Sequence, residues 1–317
     1  MSTKFNMQNQ FDYAIIGGGC IGVSIALALQ REWPNAKTIL FEGSETKTAS
    51  KDTSKIIRTP YMDEEYVSLA EEAKEKWETK LPYRNFYRKT GWIQVVRGDN
   101  YKPFFKYPEE RSIKVEDLTD MVRSRDPPQL GAGEELWLME DIGVADSALV
   151  LEAVAMEAAD QGVIRQRKDV SNLLITDGVC HGVECVGGIS IAAKTTIVAT
   201  GPWTPALLKS SRIQLPQDFQ DGFFGVTAVG VATLPLDEDE YERFKSMPIL
   251  VTEQGEVMPP ATQQKALRIT STGTFTITHP DELKSMASTE RIKTNRAVLE
   301  KMMPEMKGRP LNYSLCP

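Results

Sequence analysis

Residues 11–16, Phe11 to Ile16, form a mostly apolar run that ends in three glycines. Such a run predicts a buried strand entering a tight turn. From Cys20 to Arg31 small and apolar residues recur at helical spacing, and Trp33-Pro34-Asn35 closes that helix. A second apolar run, Lys37 to Glu42, predicts a strand, so residues 11–42 read as one βαβ unit with parallel strands.

Met62 to Lys80 predicts a helix with Asp63 as N-cap and Tyr66, Leu69, Ala70, Ala73 and Trp77 on one face. Pro82 to Arg97 alternates around Thr90-Gly91-Trp92 as a strand does. Pro127-Pro128 and Gly131-Ala132-Gly133 mark a loop, and Asp146 caps a strongly patterned helix that runs to Gln161. Short strands are expected over 162–168, 170–176, 179–185 and 190–199, then over 223–233, 249–258 and 266–278. An acidic helix fills 235–246, and a last helix over 288–303 is stopped by Pro304. The expected class is α/β: a Rossmann-type cofactor-binding domain made of 1–81, 134–213 and 281–317. Inserted into it is a mainly antiparallel α+β substrate domain made of 82–133 and 214–280.

The chain has 317 residues, more than one hydrophobic core usually serves, which agrees with two domains. Its net charge of −7 argues against a nucleic-acid partner and disfavours an anionic membrane surface. Four cysteines without a C-x-x-C pair and two histidines leave no zinc pattern. No apolar run is long enough to span a membrane, no signal-peptide core follows the N-terminus, and the last residues are not a peroxisomal signal. The expectation is a cytoplasmic monomer.

Chemistry enters with Gly17-Gly18-Gly19-Cys20-Ile21-Gly22. Gly17 permits the turn out of the strand, Gly19 lets amides approach a pyrophosphate, and Gly22 lets helix and strand pack closely. Together with Ile21 these residues form the expected phosphate cradle at a helix N-terminus. Glu42 follows Gly22 by twenty residues, the distance at which a carboxylate meets the ribose. The motif alone does not separate NAD from FAD. Ile197-Val198-Ala199-Thr200-Gly201-Pro202-Trp203 returns a strand of small residues that lets backbone come close to a ligand, and it resembles the turn beside FAD in two-dinucleotide-domain flavoproteins, which tilts the choice to FAD. A plain strand-to-helix connection starting at Pro202 is the other reading.

Ser50-Lys51-Asp52-Thr53-Ser54-Lys55-Ile56-Ile57-Arg58 comes next. By residue type alone, Lys55 and Arg58 read as solvated loop cations. The stretch resembles the loop after the Rossmann unit in the fungal fructosyl-amino-acid oxidases (amadoriases) and the monomeric sarcosine oxidases. The resemblance continues through Gly91-Trp92, Val170, the Ala199–Trp203 turn, Met303-Pro304, Arg309-Pro310 and Cys316, and so covers essentially the whole chain. It implies an FAD-dependent enzyme. Ser50, Lys55 and Ile56 would lie against the cofactor, Lys55 near the flavin ring, and Val170 would contact adenine. Gly201 would approach FAD, and Cys316 would match the cysteine to which the family attaches it covalently; a penultimate residue on a frayed end is the other reading.

The chain also departs from that family. The family pattern continues after the cysteine with Trp, whereas Pro317 stands here, so the chain looks C-terminally truncated. The sarcosine-oxidase pattern has a lysine and a histidine where Arg268 and Thr272 stand, and His279 precedes a proline and is not assigned as a base. The resemblance implies oxidation of the C–N bond of a secondary amine, an N-substituted amino acid or related metabolite, with dioxygen as acceptor, giving imine and hydrogen peroxide. Lys55, Arg58 and Arg268 are the expected catalytic residues. Two alternatives stand beside this reading: a flavoenzyme of fungal specialised metabolism acting on an alkaloid or peptide-derived amine, and a truncated chain without activity.

Overall fold

In a computed structural model of the chain, the described residues are 10–44, 48–52, 54–61, 63–97, 115–119, 130–214, 225–277, 279–284 and 289–316. Thr53, Pro127-Pro128 and Pro317 lie outside them.

The chain opens with β1 (Gln10–Ile16), α1 (Cys20–Glu32) and β2 (Thr38–Glu42). All five residues of β2 are buried, as expected of a parallel strand covered on both faces. Then come β3 (Lys55–Ile57), α2 (Glu64–Thr79), β4 (Tyr87–Lys89), β5 (Trp92–Arg97), β6 (Val115–Asp117), β7 (Glu134–Met139) and β8 (Gly143–Ala145). The helix α3 (Ser147–Asp160) precedes β9 (Ile164–Arg167), β10 (Val170–Thr176), β11 (Val179–Cys185), β12 (Ile189–Val198) and α4 (Thr204–Ser210). The rest is β13 (Val226–Pro235), α5 (Glu238–Phe244), β14 (Ile249–Thr252), β15 (Gly255–Met258), β16 (Ala266–Ile277), α6 (Thr289–Met302) and β17 (Asn312–Cys316).

These strands form three sheets. The first has the order β10-β11-β12-β1-β2-β9, with β12, β1, β2 and β9 parallel and the β10–β12 meander antiparallel. Alternation sorts its side chains. Ile15 and Leu40 pack against α1 and α3 through Val23, Leu27, Val150 and Val154. Ala14, Ile16, Ile39 and Phe41 pack on the other face with Leu207 of α4. The second sheet has eight strands in the order β17-β13-β16-β15-β14-β5-β7-β6, antiparallel except between β14 and β5. The apolar side of α6, Val298, Leu299 and Met302, covers Leu234, Val257, Leu267 and Ile269 of that sheet. A small sheet, β3-β8-β4, lies against a cluster that includes Trp92, Ile249 and Met258.

Several expectations need correcting. Pro82 to Arg97 is not one strand: Gly91, at φ +78°, breaks it into β4 and β5, which join different sheets. Residues 249–258 form a hairpin, β14–β15. The face of α2 is rotated: Val67 is buried and Ala70, Lys74 and Trp77 are half-buried, while Tyr66, Leu69 and Ala73 are exposed. A long-range ion pair, Lys74 Nζ to Asp141 at 2.7 Å, draws the Lys74 face inward. Asp146 occupies the N-cap position of α3 but its side chain caps no amide; it accepts from the Thr262 hydroxyl at 2.7 Å instead. The segments 134–139 and 289–316, grouped by sequence with the cofactor domain, pair or pack with the eight-stranded sheet.

Candidate active site

The first sheet ends in a cleft of about 510 Å³ at the C-terminal ends of β1, β2 and β12, lined by residues 16–21, 41–43, 48–51, 168–170 and 198–204. This is where open parallel sheets place ligands. Its floor is the glycine turn. Gly17 has φ +114°, and a Cβ there would stand 2.3 Å from the Ala199 carbonyl oxygen. A Cβ on Gly22 would stand 1.9 Å from the Gly17 carbonyl oxygen, so the first turn of α1 lies in direct backbone contact with the glycine turn. Gly19, at the N-cap, offers no side-chain acceptor, and the first turn of α1 holds no acid. The positive end of the helix therefore faces the cleft. The Ser50 hydroxyl accepts from the Cys20 amide at 3.0 Å and ties the 48–51 turn to that helix start.

Glu42 closes the far end, its side chain 5% exposed. Arg165 Nε donates to its Oε1 at 2.8 Å, while Nη1 and Nη2 of the same guanidinium grip Glu152 at 2.8 and 2.9 Å. The cleft suits a dinucleotide: backbone amides and a helix dipole at the middle, a carboxylate at one end, and no side chain on the glycine turn to obstruct a pyrophosphate.

A second group of polar side chains gathers from β3 and the loop before it, β15, β16 and β17. At its centre Asp52 Oδ2 accepts from Lys55 Nζ at 2.9 Å and also from Arg268 Nη2. Arg268 is buried, and its Nη1 lies 3.2 Å from the Met258 sulfur and 3.7 Å from Glu256. Burial pushes the Glu256 carboxyl above its ordinary range; Asp52 pushes the same way, and Arg268, Lys55 and Arg58 oppose it. Burial also pushes the Cys316 thiol up, with Asp52 adding to the rise and Lys55 and Arg268 counteracting it. The Arg58 guanidinium lies 4.3 Å from the Tyr61 ring centre and 5.5 Å from that of Trp92, and Nη1 donates to the Pro60 carbonyl at 3.2 Å.

Of the residues expected to bind cofactor, Gly17, Gly19, Ile21, Glu42, Ser50, Val170 and Gly201 line the cleft. Gly22 lies behind it and serves helix–strand packing. Ile56 does not line it; its side chain packs on the cluster around Trp92 and Met258. Lys55 and Cys316 belong to the polar group with Arg58 and Arg268. Cys316 is held in β17 opposite Val229. His279 stays apart: its Nδ1 accepts from the Asp281 amide at 3.2 Å. Thr272 donates to the Glu253 carbonyl at 2.9 Å and is exposed.

Sequence reasoning missed Arg165 and Glu256. Arg165 pairs with Leu40 in parallel register, two residues before Glu42, so the β2–β9 pairing would have revealed it. Glu256 meets Arg268 only through the β15–β16 register, which no local pattern announces.

A model of the FAD dependent oxidoreductase family matches residues 12–316. The chain is 24% identical over 350 residues to L-saccharopine oxidase of Schizosaccharomyces pombe, covering 95% of this chain and 78% of that protein. It is 25% identical over 238 residues to amino acid oxidase fsqB of Aspergillus fumigatus, covering 60% of this chain and 48% of that one. Among solved structures, Amadoriase I of Aspergillus fumigatus superposes with a TM-score of 0.78 at 19% identity, over 98% of this chain and 77% of the other. The fructosyl peptide oxidase of E. terrenum gives 0.77 at 19%, over 96% and 79%.

Proposed function

This chain belongs to the FAD-dependent oxidoreductase family, and from that premise we propose that it oxidises the C–N bond of a carboxylate-bearing secondary amine with dioxygen as acceptor. The observation that carries the reading is the polar group around Asp52, where Lys55, Arg58 and Arg268 converge from segments far apart in the chain. Similarity to a saccharopine oxidase and to an amino acid oxidase supports a substrate that is an N-substituted amino acid.

FAD, held by the glycine turn, Ser50, Glu42 and the Ala199–Gly201 turn, supplies two-electron acceptor chemistry when bound. The chain's own groups do the rest. Arg58 and Arg268 hold the substrate carboxylate, and Lys55 balances negative charge that develops beside it. A secondary ammonium must lose its proton before the adjacent carbon gives up hydride. Glu256, beside Arg268 in the same group, is the acceptor assigned here, since Asp52 is engaged by two cations. The amine loses two electrons and two protons to become an imine, which water hydrolyses. Dioxygen takes up the two electrons and two protons as hydrogen peroxide. A monomer acting in the cytoplasm completes the proposal; light scattering and cell fractionation check those two points.

The test is peroxide release by FAD-loaded protein from a panel of saccharopine, fructosyl, N-methyl and cyclic amino acids. The reading expects turnover with at least one carboxylated secondary amine and none with its decarboxylated counterpart. Protein that holds FAD yet releases peroxide with no amine, or equally with and without the carboxylate, overturns it.

A further inference from the structure

Glu42 is held from two sides. Gly18 packs on one: a Cβ there would stand 2.4 Å from the Glu42 Cγ, so the side chain runs flush against the glycine turn. Arg165 holds the other, with Nε on Glu42 Oε1 and both Nη atoms on Glu152. The Arg165 side chain is 20% exposed and that of Glu152 is 52% exposed, so the chain of contacts runs from solvent on α3, through β9, to the cleft wall on β2.

A buried ion pair is a poor device for stability, because desolvating both charges offsets most of their attraction and an apolar pair of the same shape does as well. A bidentate Arg–carboxylate fork is a good device for geometry. Glu42 lines the cofactor cleft and Arg165 does not. We propose that Arg165 is a positioning residue for FAD. It fixes the Glu42 carboxylate against the cleft wall where the ribose hydroxyls arrive, and Glu152 fixes Arg165. The inference is independent of which substrate the enzyme oxidises.

The test measures FAD affinity of the full chain by quenching of flavin fluorescence in Arg165→Met, Arg165→Lys, Glu42→Gln and the Glu42→Gln/Arg165→Met pair. FMN, which lacks the AMP half, is titrated in parallel, and apoprotein melting is recorded. Arg165→Met is expected to weaken FAD about tenfold, the size of one charge-assisted hydrogen bond, and to leave FMN within about twofold. Arg165→Lys loses the fork and falls between. The double variant binds FAD no worse than Glu42→Gln alone, because the arginine acts only through that carboxylate. Losses that multiply in the double variant, or equal losses for FAD and FMN, overturn the proposal. If Arg165→Met fails to fold, Arg165→Lys decides: an unchanged FAD-to-FMN ratio overturns the role.

Discussion

Gly22→Ala probes one of the tightest backbone contacts among the described residues. The added Cβ would lie 1.9 Å from the Gly17 carbonyl oxygen and 3.4 Å from the Ala199 Cβ. Contacts under 3.0 Å essentially never occur at a real Cβ, so α1 must retreat by about 1.1 Å. The obstructing atom is backbone, and it belongs to a turn whose Gly17 already sits at φ +114°, so the strain cannot be shed by rotating a side chain. Overpacking of this kind costs about 1–3 kcal/mol. At about 2–4 °C per kcal/mol, the melting midpoint should fall by roughly 2–12 °C. The same retreat carries the first-turn amides of α1 away from the cleft, so FAD affinity should fall at least about tenfold as phosphate contacts lengthen. Circular-dichroism melts of apoprotein and FAD titrations read the two effects. Gly273→Ala is the control, since nothing lies within 4 Å of its Cβ and its φ is ordinary. A Gly22→Ala variant indistinguishable from Gly273→Ala in both assays would refute this account of the turn.

Asp52→Asn removes the charge shared by Lys55 and the buried Arg268, and should destabilise the fold by about 3–5 kcal/mol in denaturant titrations, as breaking a buried pair does; a loss below about 1 kcal/mol would mean that solvent already screens the pair. Glu256 has a folded-state pKa above the usual 4.5, so the native chain binds more protons there than the unfolded one; that contribution to stability is full below pH 4.5 and is lost as pH rises through the folded value. Melts from pH 4 upward should therefore show a smaller decline in Glu256→Gln than in the parent, and parallel profiles would contradict the burial argument. For Cys316, acid precipitation decides whether the flavin is linked: colour that stays with the parent and leaves with Cys316→Ala supports the link the resemblance implies, and flavin that leaves the parent removes it.

What could be read from the sequence was whatever is settled between neighbours along the chain. The βαβ unit was legible because Phe11–Ile16, Gly17–Gly22 and Glu42 act within one short segment, and the cleft is built on that turn. Lys55 and Arg58 were ambiguous for the opposite reason. Their significance depends on Arg268 and Cys316, which reach them through β16 and β17 flanking β13, pairings over large sequence separations. Glu256 and Arg165 depend on strand register, and the rotated face of α2 depends on Asp141 drawing in Lys74. Asp146 has the residue type of a cap, yet Thr262, 116 positions later, takes its carboxylate.

The proposed oxidation is tested most directly by anaerobic mixing of FAD-loaded protein with a carboxylated secondary amine, following the blue flavin absorbance. It predicts bleaching by the amine, recovery of colour with peroxide release when air is admitted, and at least a tenfold weaker dependence on amine concentration in Arg268→Met, about one charge-assisted hydrogen bond. Flavin that stays coloured with every carboxylated secondary amine, or bleaching that Arg268→Met leaves untouched, would contradict it.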